Sequence, residues 1–164
     1  MLFCVLLVFA VGCDQGAKQV ATSVLAGAAP VSLLGDAVRF ELARNPGAFL
    51  SLGATLPAPV RTALFGLGAP LLLAAVCALA LRAGPLSRGA VAGLALLVGG
   101  GLGNWLDRLA AGGAVTDFVS LGAFGWRTGV FNVADLFIGA GALLLVLAQR
   151  PPPAVEDAAA RPPA

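Results

Sequence analysis

Two aspartates stand alone in apolar surroundings, Asp117 in AVTDFVSLG and Asp135 in FNVADLFIGAGALLLVL, residues 131–147. Neither has a cationic partner in its own segment; Arg108 and Arg127 are the arginines able to reach them through space. Two carboxylates brought together at an apolar interface do not both ionise cheaply, so the pair shares a proton. Such a pair can hydrolyse a peptide bond: one carboxylate takes a proton from water while the protonated one polarises the scissile carbonyl. Alternatively, each aspartate caps a helix or bonds loop backbone. The residues alone leave both readings open.

Other polar groups gather at helical spacing. Asp14 and Lys18 are four apart and able to pair, either as an internal tie between helices or as part of the chemistry. Asn104, Asp107 and Arg108 project together, as a salt-bridge network at a helix end or as substrate-positioning groups, and Asn132 stands three residues before Asp135. There is no histidine, so histidine catalysis and histidine metal sites are excluded. Cys4, Cys13 and Cys77 lie in apolar runs at unrelated spacings and fit neither a disulfide framework nor a zinc site. A net charge of +2 without a basic patch excludes nucleic acid as a partner.

The elements holding these residues must lie in a membrane. Hydrophobic residues make up 59% of the chain and charged ones 11%, against about 25% charged in ordinary soluble domains. Four apolar segments, about 2–25, 62–81, 89–107 and 130–148, are expected to span the bilayer. RAGPLSR (82–88) and Gln149–Arg150 are short positive connections of the kind kept in the cytoplasm, which places both termini inside and the segments 26–61 and 109–130 outside. This topology brings four of the eight acidic residues, Asp14, Asp107, Asp117 and Asp135, to the outer face. An ionisable group at membrane depth points to function. Trp105 and Trp126 read as interfacial anchors. The first outer loop, residues 29–57, carries β-formers and an NPG turn signal and reads as a small strand-containing platform. The tail 151–164, rich in Pro and Ala, reads as a disordered cytoplasmic extension. LLVFAVGC (6–13) has the form of a lipoprotein cleavage site, but no Lys or Arg precedes it and the apolar run continues past Cys13. It reads as part of an uncleaved first span.

The blocks DQGAK (14–18), RNPGAFLSLG (44–53), GGGLGNWLDRL (99–109), GGAVTDFVSLG (112–122) and FNVADLFI (131–138) fall in order along the four spans. In this combination the chain resembles lipoprotein signal peptidase, or signal peptidase II, the bacterial membrane aspartyl protease family. The resemblance implies that Asp117 and Asp135 are the catalytic pair. It implies that Asp14, Lys18, Asn45, Gly47, Asn104, Asp107, Arg108 and Asn132 hold substrate or brace the site. The implied fold is an all-α membrane protein of four transmembrane helices, with a small β-structure on the outer surface. The implied substrate is a prolipoprotein bearing a diacylglyceryl cysteine, cut just before that cysteine, with membrane lipid as a further partner and no cofactor. The implied location is the bacterial inner membrane, and the implied inhibitor is globomycin. One departure concerns the first outer loop: many members place the aromatic directly before the serine, whereas here Phe49 comes one place earlier and Leu50 precedes Ser51. Which of these side chains lines the site is left open.

Two other classes compete, a small proton-coupled carrier and a structural four-helix protein with buried carboxylates. The acidic residues cluster on one face, and no inverted repeat relates the spans, which disfavours the carrier. Aspartate-to-asparagine changes separate the scaffold from the peptidase, because Asn keeps the size of Asp but loses its charge.

Overall fold

A computed structural model of the chain describes residues 1–148; the tail expectation lies outside these. Helix α1 spans Leu2–Leu25. Helix α2 runs over Ala58–Arg82, starting four residues before the expected span because Pro59 fits the first helical turn. Helix α3 covers Arg88–Ala110, with the Ser87 hydroxyl accepting the Ala90 N–H as its N-cap. Helix α4 begins at Val133, not 130, and is described to Ala148. Among the described residues α1, α2 and α3 are long and apolar enough to cross a membrane, and α4 is a shorter apolar helix.

Helix α2 is not uniform. Residues Thr62–Gly68 form a π-helical turn. Pro70 explains why the ladder changes here: it has no N–H for the Gly66 carbonyl four residues back, and its ring crowds that oxygen. The Trp105 indole Nε1 of α3 donates to Gly66 O instead, at 2.9 Å.

The platform is a four-stranded antiparallel sheet in the order β1 (Val31–Leu33), β2 (Val38–Asn45), β3 (Val115–Ala123) and β4 (Trp126–Arg127). Only its first half lies in the loop expected to hold strands; β3 and β4 come from the segment read as an outer loop. Strand β3 is buried at Val115, Thr116, Asp117 and Phe118 in succession, so it lacks the alternation that announces a half-exposed strand. The register slips between Phe40 and Ala43, a bulge that seats Ala43 opposite Asp117. At the exposed end, Asp36 receives Arg39 Nη2 and Arg127 Nη2, each at 2.6 Å, and joins both ends of the sheet.

Helix α3 is the centre of the bundle, buried along one face from Gly93 to Asp107. Its glycines let neighbouring backbones approach. A Cβ at Gly100 would stand 2.5 Å from the Ala134 carbonyl and 2.9 Å from Ile138 in α4, and one at Gly103 would stand 2.5 Å from Asp14 Oδ2. Because backbone is in the way at Gly100, Gly100→Ala must push α4 outward. We expect it to lower unfolding stability in detergent by about 1–3 kcal/mol, as overpacking does. An unchanged denaturation midpoint would contradict this packing.

Candidate functional site

The sequence-predicted site residues meet where α1, α3, the start of α4 and the bulged part of the sheet converge. Strand β3 presents Asp117, 1% exposed. Its Oδ1 accepts Asn132 Nδ2 at 2.6 Å, and its Oδ2 accepts Asn45 Nδ2 at 2.8 Å. Asn132 arrives there because Phe131 pairs with β3: Phe131 N donates to Val119 O at 2.8 Å, and Val119 N returns a bond to Phe131 O at 3.0 Å.

Asn132 is also the N-cap of α4. Its Oδ1 accepts the Asp135 N–H at 3.1 Å, and Asp135 Oδ2 accepts the Asn132 N–H at 3.2 Å. This reciprocal pair is a capping box. The capping alternative weighed for Asp135 is therefore realised, but it occupies only one carboxylate oxygen. The other, Oδ1, accepts Asn104 Nδ2 at 3.0 Å. Among the described residues Asp117 bonds no backbone N–H; its two partners are side-chain amides. Asn132 thus links the two carboxylates: its side-chain amide nitrogen donates to Asp117 and its backbone N–H donates to Asp135.

A second layer fixes these amides. Lys18 Nζ, in a side chain 5% exposed, lies 2.8 Å from Asp14 Oδ2, 3.1 Å from Asp107 Oδ2 and 2.9 Å from Asn104 Oδ1. Asn104 Oδ1 also accepts Asn132 Nδ2 at 3.0 Å. With two donors on its oxygen, the Asn104 amide must aim its nitrogen at Asp135. Asp14 Oδ1 receives the Ala134 N–H at 2.9 Å, tying α1 to the first turn of α4. Asp107 Oδ2 receives the Thr116 N–H at 2.9 Å, tying α3 to β3. Both readings of the Asp14–Lys18 pair meet here: it joins helices and it orients a site amide.

Asn45 and Gly47 bring in the first outer loop. Asn45 Oδ1 accepts the Gly47 N–H at 2.8 Å. A Cβ at Gly47 would stand 2.5 Å from Leu52 O, so the tight loop excludes any side chain there. Arg108 Nη2 donates to Gly47 O at 2.6 Å and Nη1 to Asn104 O at 3.2 Å, while its buried Nε has no partner among the described residues. Among the described residues Arg108 forms no ion pair, and Arg127 is occupied by Asp36 and Ser120. Of the two arginines the sequence left open as partners, neither forms an ion pair with Asp117 or Asp135 among the described residues. Four carboxylates share this region with the two cations Lys18 and Arg108.

Burial pushes the Asp117 carboxyl up to about 6; the Asn45 and Asn132 amides pull it back, and the nearby Asp135 charge pushes it further. A carboxyl so placed can hold a proton close to neutrality. Beside Asp135 lies a cavity of about 490 Å³. Its polar end is Asn104, Arg108 and Asp135, and its walls are apolar, with Phe49 and Phe65 among them. Phe49 is thus the loop side chain at the cavity, while Leu50 sits in the left-handed region, φ 53°, against Gly129.

The family model for signal peptidase (SPase) II matches residues 6–149. The chain belongs to the signal peptidase II family. It is 36% identical to the lipoprotein signal peptidase of Streptomyces coelicolor over 152 residues, 90% of this chain and 69% of that protein. Against that of Treponema pallidum it is 34% identical, over 82% of this chain and 75% of the other. With the Methylobacterium radiotolerans protein identity rises to 55%, over a stretch spanning 39% of this chain and 37% of that protein. A bacterial membrane enzyme solved by the in meso method at 2.3 Å superposes with a TM-score of 0.75 at 26% identity, covering 89% of this chain and 85% of that one. Signal peptidase II membership accounts for the architecture of apolar helices with a small antiparallel sheet.

Three residues at or beside this candidate site are not singled out by the sequence reading. Gln15 Nε2 donates to Asp107 Oδ1, Asp14 Oδ2 and Gly103 O, each at 3.1 Å. Its signal was available: an amide inside an apolar span, next to Asp14. Trp105, read as an interfacial anchor, also braces α2 from α3 through Gly66. Phe65 is one more apolar residue of α2 in the sequence, and nothing there marks it.

Proposed function

We propose that the chain is a membrane aspartyl endopeptidase that removes the signal peptide of diacylglyceryl-modified prolipoproteins, cutting before the lipidated cysteine. One observation carries the reading: Asp117 and Asp135, delivered by a strand and a helix, converge on Asn132, and Asp135 stands at the polar end of a largely apolar cavity. Asp117 and Asp135 are the catalytic pair. The protonated carboxyl donates to the scissile carbonyl oxygen as the ionised one takes a proton from the attacking water. That proton then passes to the leaving amine as the tetrahedral intermediate collapses. Asn45 and Asn132 hold Asp117, and Asn104 holds Asp135. Lys18, with Asp14 and Asp107, fixes the amides, while Gly47 and Arg108 shape the loop side. Two carboxylates and water complete this chemistry, so the reaction calls for no cofactor.

The cavity walls favour a lipidated substrate. Burial of acyl chains contributes about 0.8 kcal/mol per CH₂, so a site that opens sideways into lipid forfeits little when the chains stay in the leaflet. The pair then sits at the outer face of the bacterial inner membrane, with both termini in the cytoplasm. Globomycin, the family's inhibitor, occupies the same cavity.

Cleavage of a diacylglyceryl-modified prolipoprotein, followed against pH, tests this. The carboxyl pair must keep one proton, and Asp117 releases its proton near pH 6. Raising the pH through 6 therefore depletes the active form, and kcat/KM falls on that side with an apparent ionisation belonging to the pair. A second limb at lower pH marks protonation of both. A rate flat from pH 4 to 8, or no cleavage of the lipidated substrate, would sink the proposal.

A further inference from the structure

We propose that Phe65 is a positioning residue for cleavage, holding the Arg108 guanidinium in place at the polar end of the cavity. The inference rests on the peptidase reading above. The Arg108 Cζ atom lies 5.5 Å from the centroid of the Phe65 ring. Both residues line the cavity that contains Asn104 and Asp135. Arg108 has no carboxylate within ion-pair distance among the described residues, and its protein hydrogen bonds go to two backbone carbonyls. The Asp107, Asp117 and Asp135 charges act on this cation from beyond ion-pair distance, and the Phe65 face is the aromatic surface beside it; at a desolvated site such a contact is effective.

The local backbone explains how Phe65 comes to lie there. It sits inside the π-helical turn Thr62–Gly68. An α-helix advances about 100° per residue, so the extra residue of a π turn re-aims the side chains around it by that order. Pro70 prevents an ordinary α ladder through Gly66, and the Trp105 indole donates to the freed carbonyl at 2.9 Å. Trp105 and Arg108 are three apart on α3. One helix therefore both staples the π turn and supplies the cation that the turn covers. On the other side, Gly53 of the outer loop sits against the ring: a Cβ there would stand 3.1 Å from Phe65 Cζ. The aromatic ring is clamped between the loop and the guanidinium, which an apolar residue facing lipid alone would not need.

The test uses the full chain in detergent with a diacylglyceryl-modified prolipoprotein. It compares wild type with Phe65→Leu and Trp105→Phe. Leucine removes the aromatic face, and phenylalanine at 105 removes the indole N–H together with its five-membered ring. We expect Phe65→Leu to lower kcat/KM by about 10-fold, mainly through KM, as loss of a cation–π contact of this kind implies. Trp105→Phe falls about 3-fold in the same direction. The proposal is overturned if Phe65→Leu is as active as wild type, or if its loss falls on kcat with KM unchanged. Should Phe65→Leu not fold, Trp105→Phe decides, and an unchanged KM in that variant overturns the proposal. If wild type itself cleaves nothing, the peptidase reading has failed instead, which keeps the two failures apart.

Discussion

Asp117→Asn and Asp135→Asn each lower cleavage of a lipidated prolipoprotein by about 10³-fold or more, since each removes one half of a general acid–base pair. Stability changes little, and the hydrogen bonds explain why. At position 135 an asparagine oxygen still accepts the Asn132 N–H, so the cap of α4 survives, while the new amide nitrogen faces Asn104 Nδ2 and that bond is lost. At position 117 the new amide must face either Asn45 or Asn132, both of which donate to the native carboxylate. Neither can turn over freely, because the Asn45 oxygen is held by Gly47 N–H and the Asn132 oxygen by Asp135 N–H. The loss of one such bond costs about 1–3 kcal/mol. It is offset by removing a charge whose burial already drives the carboxyl up to about 6. Activity and folding therefore separate in these variants. A variant that stays folded and keeps more than a tenth of wild-type activity would exclude that residue from the reaction.

Lys18→Met is expected to have the largest effect on folding. Methionine fits the apolar span, but it leaves Asp14 and Asp107 buried against each other without their shared cation. Breaking a buried ion pair by removing one partner costs about 3–5 kcal/mol. Asn104 Oδ1 also loses one of its two donors, so the amide that holds Asp135 is fixed by Asn132 alone. Unfolding followed by near-UV circular dichroism in detergent should show the loss. Adding Asp14→Asn to the same chain should recover part of it, because one orphaned charge disappears. If Lys18→Met unfolds within about 1 kcal/mol of wild type, the network is not the strut described here.

How far the sequence carries depends on the range of the interaction. The Asp14–Lys18 pair could be anticipated because four-residue spacing on a helix is a local property. Asn132 and Asp135, three apart, likewise meet within one turn. The bond from Asn45 to Asp117 joins residues separated by 72 positions, and no periodicity announces it. Strand β3 was invisible for a related reason: flanked by β2 and buried beneath, it shows no polar face to alternate with an apolar one. Its Asp117 stood out as an isolated charge while the strand carrying it read as loop. The π turn in α2 had a sequence cause in Pro70, but its consequence, the placement of Phe65 over Arg108, needed α3 alongside. The departure around Phe49 and Leu50 was likewise undecidable from spacing. The left-handed φ of Leu50 turns that residue onto Gly129 and leaves Phe49 at the cavity.

The most direct test is the mass of the products formed when the purified full chain meets a diacylglyceryl-modified prolipoprotein in detergent, alongside Asp135→Asn at the same concentration. The account predicts two products from wild type, a free signal peptide and a protein beginning at the lipidated cysteine. It predicts neither from Asp135→Asn, which stays folded with its α4 cap intact. Products of the same mass from the folded variant, or a wild-type cut at any other bond, would contradict it.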